Sequence, residues 1–193
     1  MNIDIYKAED FKTTKWCGGS TTELYIHPST TTYAAGNFNF RISSATVEIE
    51  NSDFTILPGV SRQLMVLKGS IKLSHKNHHE IQLNKREIDC FEGSWETSAV
   101  GTCVDFNLMT KGNTEGKISS VFVFADKSLN FQLDVTCEFI IFYAYEGNMQ
   151  CLFGSEKRNL NQGELLVIRH PINDVVELLS SEDCAMAVVH IYK

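Results

Sequence analysis

Short apolar runs rich in β-branched and aromatic residues recur along the whole chain, and Gly, Asn, Asp or Ser residues separate them at close intervals. This spacing predicts β-strands that are joined by tight turns. No long window carries apolar residues at the 3.6-residue period of an amphipathic helix. The pattern therefore predicts a nearly all-β protein, built from barrels or sandwiches.

Two hairpin-like segments in the two halves of the chain resemble each other. In each, a strand runs into a glycine, Gly69 or Gly147, and a second strand, a polar turn and a leucine follow. We interpret this recurrence as an internal repeat of two similar β-units. The predicted domains are residues 1–111 and residues 112–193.

The alternation of apolar residues changes phase in the run FNFRISSATVEIE. Apolar side chains occupy even positions up to Ile42 and odd positions from Ala45 onward. A change of phase by one residue is typical of a β-bulge, which we place at Ser43 and Ser44. A strand that is buried on both faces would give the same pattern.

The run TCVDFNLM places two polar side chains on one face of a strand. Asp105 and Asn107 alternate with apolar residues, so their side chains point the same way and lie ~7 Å apart. A carboxylate beside an amide is a suitable lining for a polar cavity. The alternative is the solvent-facing side of an antiparallel sheet.

The charge of the chain argues against a polyanionic partner. The formal net charge is −7, and the 17 basic residues are scattered instead of clustered. No apolar run reaches the ~20 residues that a bilayer span requires, and the first residues do not resemble a signal peptide. We expect no nucleic-acid partner, no membrane partner and a cytoplasmic location.

Neither a metal site nor a covalent nucleophile is predicted. The six cysteines form no C-x-x-C motif, and we expect most of them to be reduced and buried. His75, His78 and His79 lie in a polar stretch that we interpret as a turn with outward-pointing side chains, so we predict no metal ligands and no cofactor. No Gly-x-Ser-x-Gly elbow is present.

The segment WCGGSTTEL contains two glycines followed by hydroxyl side chains. A phosphate-binding loop would need a lysine and a helix next, and here Glu23 and a β-rich run follow instead. We predict a tight turn whose backbone approaches a neighbouring segment closely. Trp16, beside this turn, is either a stacking wall or a core residue, and we assign it to the core.

Arg62 stands two residues before the apolar run that begins at Leu64. A guanidinium group offers a planar fork of donors that suits a carboxylate, and it stays charged at physiological pH. If Arg62 lies inside a barrel, its lost hydration requires a counter-anion, which is either Asp105 or a ligand. The alternative is an exposed side chain at the end of a loop.

Four motifs in order carry a resemblance to a known family. The segments WCGGSTTEL, FRISSATV, FTILPGVSR and DFNLM all precede Lys111. In sequence and order they resemble the motifs of the HutD/Ves family. The chain departs from the W-x-N-G-G form of the first motif, because Cys17 stands directly before the two glycines.

The resemblance implies a fold and a set of site residues. The fold is a bicupin, with two cupin-like β-barrels of the jelly-roll, RmlC-like type in one chain and without the cupin metal ligands. The implied role is small-molecule binding associated with histidine utilisation, with a ligand of the formyl- or formimino-glutamate type. Arg62 carries over as the carboxylate-binding residue, and the other ligand-binding candidates are Arg41, Asp105, Asn107, Trp16, Thr21 and Glu23.

Three functions are compatible with these residues. The first is a cytosolic, metal-free regulator or sensor that binds a small carboxylic acid. The alternative is a metal-independent enzyme, an isomerase or hydrolase, in which Asp105 or Glu23 would act as general base. The third is a protein-interaction module. We assign no catalytic residue, and unpaired strand edges leave a homodimer open.

Overall fold

The computed structural model describes residues 1–192 and consists almost entirely of β-strands and turns. The prediction of an all-β protein is confirmed. The chain divides into two compact units, which we call the first unit (residues 11–115) and the second unit (residues 1–10 and 116–192).

Strand β1 (Asn2–Tyr6) opens the chain, and single 3-10 turns lie at Ala8–Asp10 and Tyr33–Ala35. The strands of the first unit are β2 (Lys12–Trp16), β3 (Gly19–His27), β4 (Phe40–Val47), β5 (Asn51–Asp53), β6 (Val60–Gly69), β7 (Ile71–His75), β8 (Glu80–Leu83), β9 (Ile88–Glu92), β10 (Thr97–Val100) and β11 (Cys103–Lys111). The remaining strands of the second unit are β12 (Glu115–Val123), β13 (Lys127–Gln132), β14 (Cys137–Glu146), β15 (Met149–Phe153), β16 (Glu156–Leu160), β17 (Leu165–Arg169), β18 (Val175–Ser180) and β19 (Cys184–Tyr192).

Each unit contains two antiparallel sheets, and the strand order repeats. The first unit has the orders β2-β3-β4-β11-β6-β9 and β5-β10-β7-β8. The second unit has the orders β12-β19-β14-β17-β1 and β13-β18-β15-β16. Every strand from β4 to β11 thus has a counterpart eight positions later with equivalent neighbours. The internal repeat is confirmed at the level of strand order.

The two glycines that suggested the repeat occupy equivalent positions. Gly69 joins β6 to β7 with a φ of 81°, and Gly147 joins β14 to β15 with a φ of 72°. A Cβ atom would lie 2.5 Å from the carbonyl oxygen of Thr102 in one unit and 2.8 Å from that of Asp183 in the other. Both turns therefore need glycine for the left-handed conformation and for the close approach of the backbone.

The first strand crosses the predicted domain boundary. β1 pairs antiparallel with β17, from Asn2 opposite Arg169 to Tyr6 opposite Leu165, and its residues Ile3 and Ile5 pack against the second-unit core. The division at residue 111 placed β1 in the first domain, whereas the structure pairs it with the second unit. The sequence lacks this information because strand pairing across more than 150 residues leaves no local pattern.

Two separate apolar cores fill the two units. In the first, Leu64, Val66 and Leu73 belong to a cluster of buried side chains, and in the second Ile140 and Leu166 do. Four of the six cysteines are buried. Among residues 1–192, no helix is long and apolar enough to cross a membrane.

Replacing the two repeat glycines by alanine tests the equivalence of the turns. We expect Gly69→Ala and Gly147→Ala each to lower the free energy of unfolding by more than about 2 kcal/mol, because both add a backbone clash to a left-handed conformation that costs ~1–2 kcal/mol. Gly112→Ala is the matched control, since Gly112 has a φ of 68° and nothing within 4 Å of a Cβ. Urea unfolding measures all three, and equal losses would contradict the close approach.

Candidate functional site

The first unit contains a cavity of about 650 Å³, a size that is typical of small-molecule sites. The seven site residues predicted from the sequence all lie on its wall, and the structure leaves none of them elsewhere. They are Trp16, Thr21, Glu23, Arg41, Arg62, Asp105 and Asn107. The same wall also contains Tyr33, Ser43, Phe54 and Met109, among other side chains.

Strand alternation explains why polar side chains meet in this cavity. On β4, Arg41 and Ser43 share the cavity face, and on β11 Asp105 and Asn107 do. The register between these strands places Ser43 opposite Asn107. Two antiparallel neighbours therefore contribute two polar residues each to one patch.

The predicted bulge at Ser43 and Ser44 is not present. β4 pairs with β11 in continuous register from Phe40 to Val47, and both faces of its first five residues are buried. On β4 the face towards the cavity carries the polar residues Arg41 and Ser43 first and the apolar residues Ala45 and Val47 after them. In the sequence, this switch from polar to apolar residues on one face looks like a one-residue change in the alternation. Register shifts occur on the neighbouring strands instead, at Glu23/Tyr25 and at Val104/Asp105.

Arg62 on β6 is buried, with 6 % of its surface exposed. Its guanidinium carbon lies 4.8 Å from the ring centroid of Phe54 and 5.1 Å from that of Phe91. Nη2 donates to Oδ1 of Asn107 at 3.2 Å. Nε is buried and has no hydrogen-bond partner among the described residues. Aromatic faces attract a cation without satisfying its N–H donors, so this donor is left for another group.

Asn107 connects Arg62 to Asp105. While its amide oxygen accepts from Arg62, its Nδ2 donates to Oδ1 of Asp105 at 2.9 Å. Asp105 is 2 % exposed, and burial raises the pKa of its carboxyl group to about 6, against the opposing effects of Asn107 and Arg62. Burial also lowers the pKa of Arg62 to about 10, so the guanidinium stays protonated at neutral pH.

Arg41 differs from Arg62 because it already has an anionic partner. Its Nε donates to Oε2 of Glu23 at 2.7 Å, and its Nη1 donates to Oγ of Ser43 at 3.1 Å. The guanidinium carbon lies 4.3 Å from the ring centroid of Tyr33. Glu23 therefore neutralises Arg41, whereas Arg62 has no ion pair among the described residues.

The hairpin of β2 and β3 supplies Trp16 and Thr21 to the cavity. Trp16 is 37 % exposed, so its assignment to the core was wrong. The predicted tight turn is present at Cys17 and Gly18, because Trp16 and Gly19 are register partners. A Cβ at Gly19 would lie 1.9 Å from the carbonyl oxygen of Thr46, which explains why the chain needs glycine there.

Sequence reasoning missed the aromatic partners of the two arginines. Tyr33 belongs to a short 3-10 turn with no pattern of its own, and no local signal could have identified it. Phe54 had a signal, because it is the first residue of the motif FTILPGVSR that ends in Arg62. Its contact with Arg62 explains why an aromatic residue and an arginine share one motif.

The three histidines do not all point outward as expected. His75 is 2 % exposed and ends β7 on the inner face of the strand. Its Nδ1 lies 2.8 Å from Oγ1 of Thr97, and its Nε2 lies 2.8 Å from Oδ2 of Asp89. Burial lowers the pKa of this imidazole. The turn prediction failed for His75 because the turn starts one residue later.

The fold and the cavity define an all-β protein with two buried arginines in one small-molecule-sized cavity. Protein PA5104 from Pseudomonas aeruginosa resembles it with a TM-score of 0.84 and 20 % identity over 100 % of both chains. HutD from Pseudomonas fluorescens SBW25 gives 0.76 and 20 %, also over 100 % of both chains. A mutant of the oxalate decarboxylase OxdC from Bacillus subtilis gives 0.68 and 8 %, over 96 % of this chain and 76 % of that chain. These likenesses show a cupin-like fold alone.

The family follows from the sequence itself. The family model HutD matches residues 8–186, which is most of the chain. The chain therefore belongs to the HutD family. No curated protein sequence matches it.

The raised pKa of Asp105 predicts a pH-dependent stability. Its folded-state pKa of about 6 exceeds the usual 3.8, so its contribution is present below pH ~4 and is lost as the pH rises through ~6. Relative to Asp105→Asn, wild type should lose on the order of 3 kcal/mol of unfolding free energy between pH 4 and pH 7.

Urea unfolding followed by tryptophan fluorescence measures this difference. Both tryptophans, Trp16 and Trp95, belong to the first unit and so report on it. Taking the difference between the two proteins cancels the titration of all shared groups. A flat or rising difference would show that the folded protein does not raise the pKa of Asp105.

Proposed function

We propose that the first unit binds a small carboxylic acid in its cavity, with Arg62 as the residue that holds the carboxylate. The single observation that carries this proposal is the buried Nε of Arg62, which lacks a hydrogen-bond partner among the described residues. An unsatisfied donor on a buried cation costs several kcal/mol. A ligand carboxylate would accept from Nε and offset the lost hydration at the same time.

The charges on the cavity wall support an anionic ligand. Glu23 already neutralises Arg41, and protonation of Asp105 below pH ~6 leaves Arg62 as an uncompensated positive charge. Lys12 on the same wall adds a further cation and Asp53 a further anion, so the wall keeps one net positive charge when Asp105 is protonated. A neutral ligand would leave the Arg62 charge without an anionic partner.

The other predicted residues have roles that fit a carboxylate bound to Arg62. Asn107 fixes the position of Arg62 and presents its amide near the ligand. Glu23 holds Arg41 in place, while Trp16 and Thr21 form part of the wall. Met109, the register partner of both Arg41 and Arg62, adds apolar surface beside the two guanidinium groups, which suits an acid with a short carbon chain. We propose the formyl- or formimino-glutamate type.

The finer architecture and the biological role belong to the same proposal. We infer that each unit is a cupin-like jelly-roll barrel, so that the chain is a bicupin; the repeated eight-strand order supports this inference. Membership in the HutD family supports a role as regulator or sensor in histidine utilisation. The net charge of −7 supports the absence of a nucleic-acid partner, we propose a cytoplasmic location without a membrane partner, and unpaired strand edges permit a homodimer.

One observation favours an enzyme as the second candidate. Asp105 lies on the cavity wall with a pKa raised to about 6, which is a suitable value for a general base near neutral pH. A metal-independent isomerase or hydrolase acting on the same acid could use it. Incubation of wild type and Asp105→Asn with the stabilising acid, followed by mass spectrometry, separates the two functions, because a receptor leaves the acid unchanged.

Substituting Arg62 tests the carboxylate site directly. We expect N-formylglutamate at a hundred times its Kd to stabilise wild type by ~2.7 kcal/mol. Arg62→Met should weaken binding by roughly 10-fold to 100-fold, since a hydrogen bond to a charged group contributes ~1.5–3 kcal/mol. Arg62→Lys should fall in between, because it keeps the charge and loses the planar fork. Calorimetric titration measures each affinity.

Two controls accompany this experiment. The dimethyl ester of N-formylglutamate matches the ligand without its charge and should not bind. Arg158→Met, which removes an arginine of the second unit that is not on the cavity wall, should bind as wild type does. Equal affinities of wild type and Arg62→Met for the acid would refute the proposed site.

The affinity should also depend on pH through Asp105. Ionised Asp105 repels a bound carboxylate and competes for Arg62, so affinity should fall as the pH rises through ~6, by at most about tenfold per pH unit. Arg62, with a pKa of about 10, stays charged throughout. Titrations between pH 5 and pH 8 measure this slope, and Asp105→Asn should abolish it. The same slope in the variant would assign the effect to another group.

A further inference from the structure

A second group of polar side chains lies outside the wall of the carboxylate cavity, at the turn between β7 and β8. It contains His75, His79 and Asp89, whose nearest ligand atoms all lie within 4.8 Å of one another. None of the three belongs to the cavity wall. This group therefore requires an account of its own.

The hairpin brings the two histidines together. The register of β7 and β8 pairs Ser74 with Glu80, so His75 and His79 are the next pair across the turn. The backbone N–H of His75 donates to the carbonyl oxygen of His79 at 2.9 Å, and the ring centroids are 4.5 Å apart. Asn77, with a φ of 65°, makes the turn between them. Main-chain pairing thus fixes the backbone positions from which both imidazoles extend.

Asp89 reaches the histidines from another sheet. On β9, Asp89 and Phe91 are buried and alternate with exposed Cys90. One carboxylate oxygen, Oδ2, lies 2.8 Å from Nε2 of His75, and the other, Oδ1, lies 3.1 Å from Nε2 of His79. The carboxylate consequently faces the Nε2 atoms of both rings.

These separations fit the coordination shell of a small transition-metal ion. Tetrahedral coordination with bonds of ~2.0–2.1 Å separates neighbouring ligand atoms by about 3.3 Å. The two separations at Asp89 are shorter by half an ångström or less, and the third, between the two imidazoles, is at most 4.8 Å. Binding an ion therefore requires side-chain rotations that widen the Asp89 contacts and bring the two imidazole nitrogens towards the ion. The His79 side chain is 38 % exposed, which gives an entry path and leaves a fourth position to water.

One outer partner orients the ring of His75 for metal binding. Oγ1 of Thr97 lies 3.5 Å from the carbonyl oxygen of Trp95, to which it can donate, and 2.8 Å from Nδ1 of His75. With its proton directed to Trp95, the hydroxyl accepts the Nδ1–H of His75, and the Nε2 lone pair then faces Asp89. A second partner that fixes the tautomer in this way is usual for metal-binding histidines.

We propose that Nε2 of His75, Nε2 of His79 and the carboxylate of Asp89 bind one divalent transition-metal ion, of which Zn²⁺ is the best match. Two imidazoles and one carboxylate are a ligand set that Zn²⁺ takes in proteins, with an open fourth position. The ion ties the β7–β8 hairpin to β9. This site goes beyond the proposed carboxylate binding and does not depend on it.

The alternative to a bound metal ion is a pair of hydrogen bonds, in which the protonated Nε2 atoms of His75 and His79 both donate to Asp89. That arrangement needs no ion and uses the same distances. The two arrangements differ in metal affinity, because the hydrogen-bonded one predicts no affinity beyond that of isolated surface histidines. The experiment therefore compares metal affinity between variants of the same turn.

The test uses the full chain without a histidine tag, treated with chelator and exchanged into metal-free buffer. Co²⁺ is titrated while its visible d–d absorption is followed, and Zn²⁺ is then added in competition. We expect one equivalent of Co²⁺ with the intense absorption of four-coordinate cobalt, displaced by one equivalent of Zn²⁺. His79→Gln should weaken binding by roughly tenfold or more, and His78→Gln, the matched control, should bind as wild type does.

Folding is checked by the melting temperature of each variant in metal-free buffer. Should His79→Gln fail to fold, Asp89→Asn provides the same comparison through the third ligand. No saturable binding to wild type, or equal affinity of wild type and a folded ligand variant, would overturn the proposal. Because the assay contains no carboxylic acid, the metal site and the carboxylate site can fail separately.

Discussion

The burial of one guanidinium group inside a β-walled cavity is the constraint on which the functional site depends. Arg62 keeps its charge, yet its described contacts are two aromatic faces and a single hydrogen bond to Asn107. A buried cation costs several kcal/mol unless an anion lies nearby. Asp105 supplies part of that compensation, and its own burial raises its pKa toward neutrality. When Asp105 is protonated, Arg62 is therefore left without an anionic partner.

Stability of such a site has to come from the rest of the unit. Two sheets pack on a core that includes Leu64, Val66 and Leu73, and the apolar burial there offsets the charge buried on the same strands. β6 contributes both to the site and to the core, because Arg62, Leu64 and Val66 occupy every second position and so lie on the same face of the strand. The second unit repeats the strand order with an apolar core. The topology therefore does not require the arginine site.

Particular residues show how far the sequence could predict this site. Asp105 and Asn107 were assigned to one strand face from alternation alone, and the family motifs selected Arg62, Arg41, Trp16, Thr21 and Glu23; the structure brings all seven to one cavity. Alternation could not say whether that face meets solvent or a cavity, because both give the same pattern. It also predicted a bulge at Ser43 where a strand buried on both faces produces the same change of polarity.

By itself the sequence determined the all-β class and the repeat, because turn glycines and period-two alternation are local properties of the chain, and with the family motifs it selected seven residues of the cavity wall. Only the tertiary structure decided which groups satisfy one another: that Glu23 pairs with Arg41, that Arg62 Nε is left without a partner, and that Asp89 meets His75 and His79. It also decided that β1 pairs with β17. These contacts join residues far apart in the chain, so no short segment encodes them.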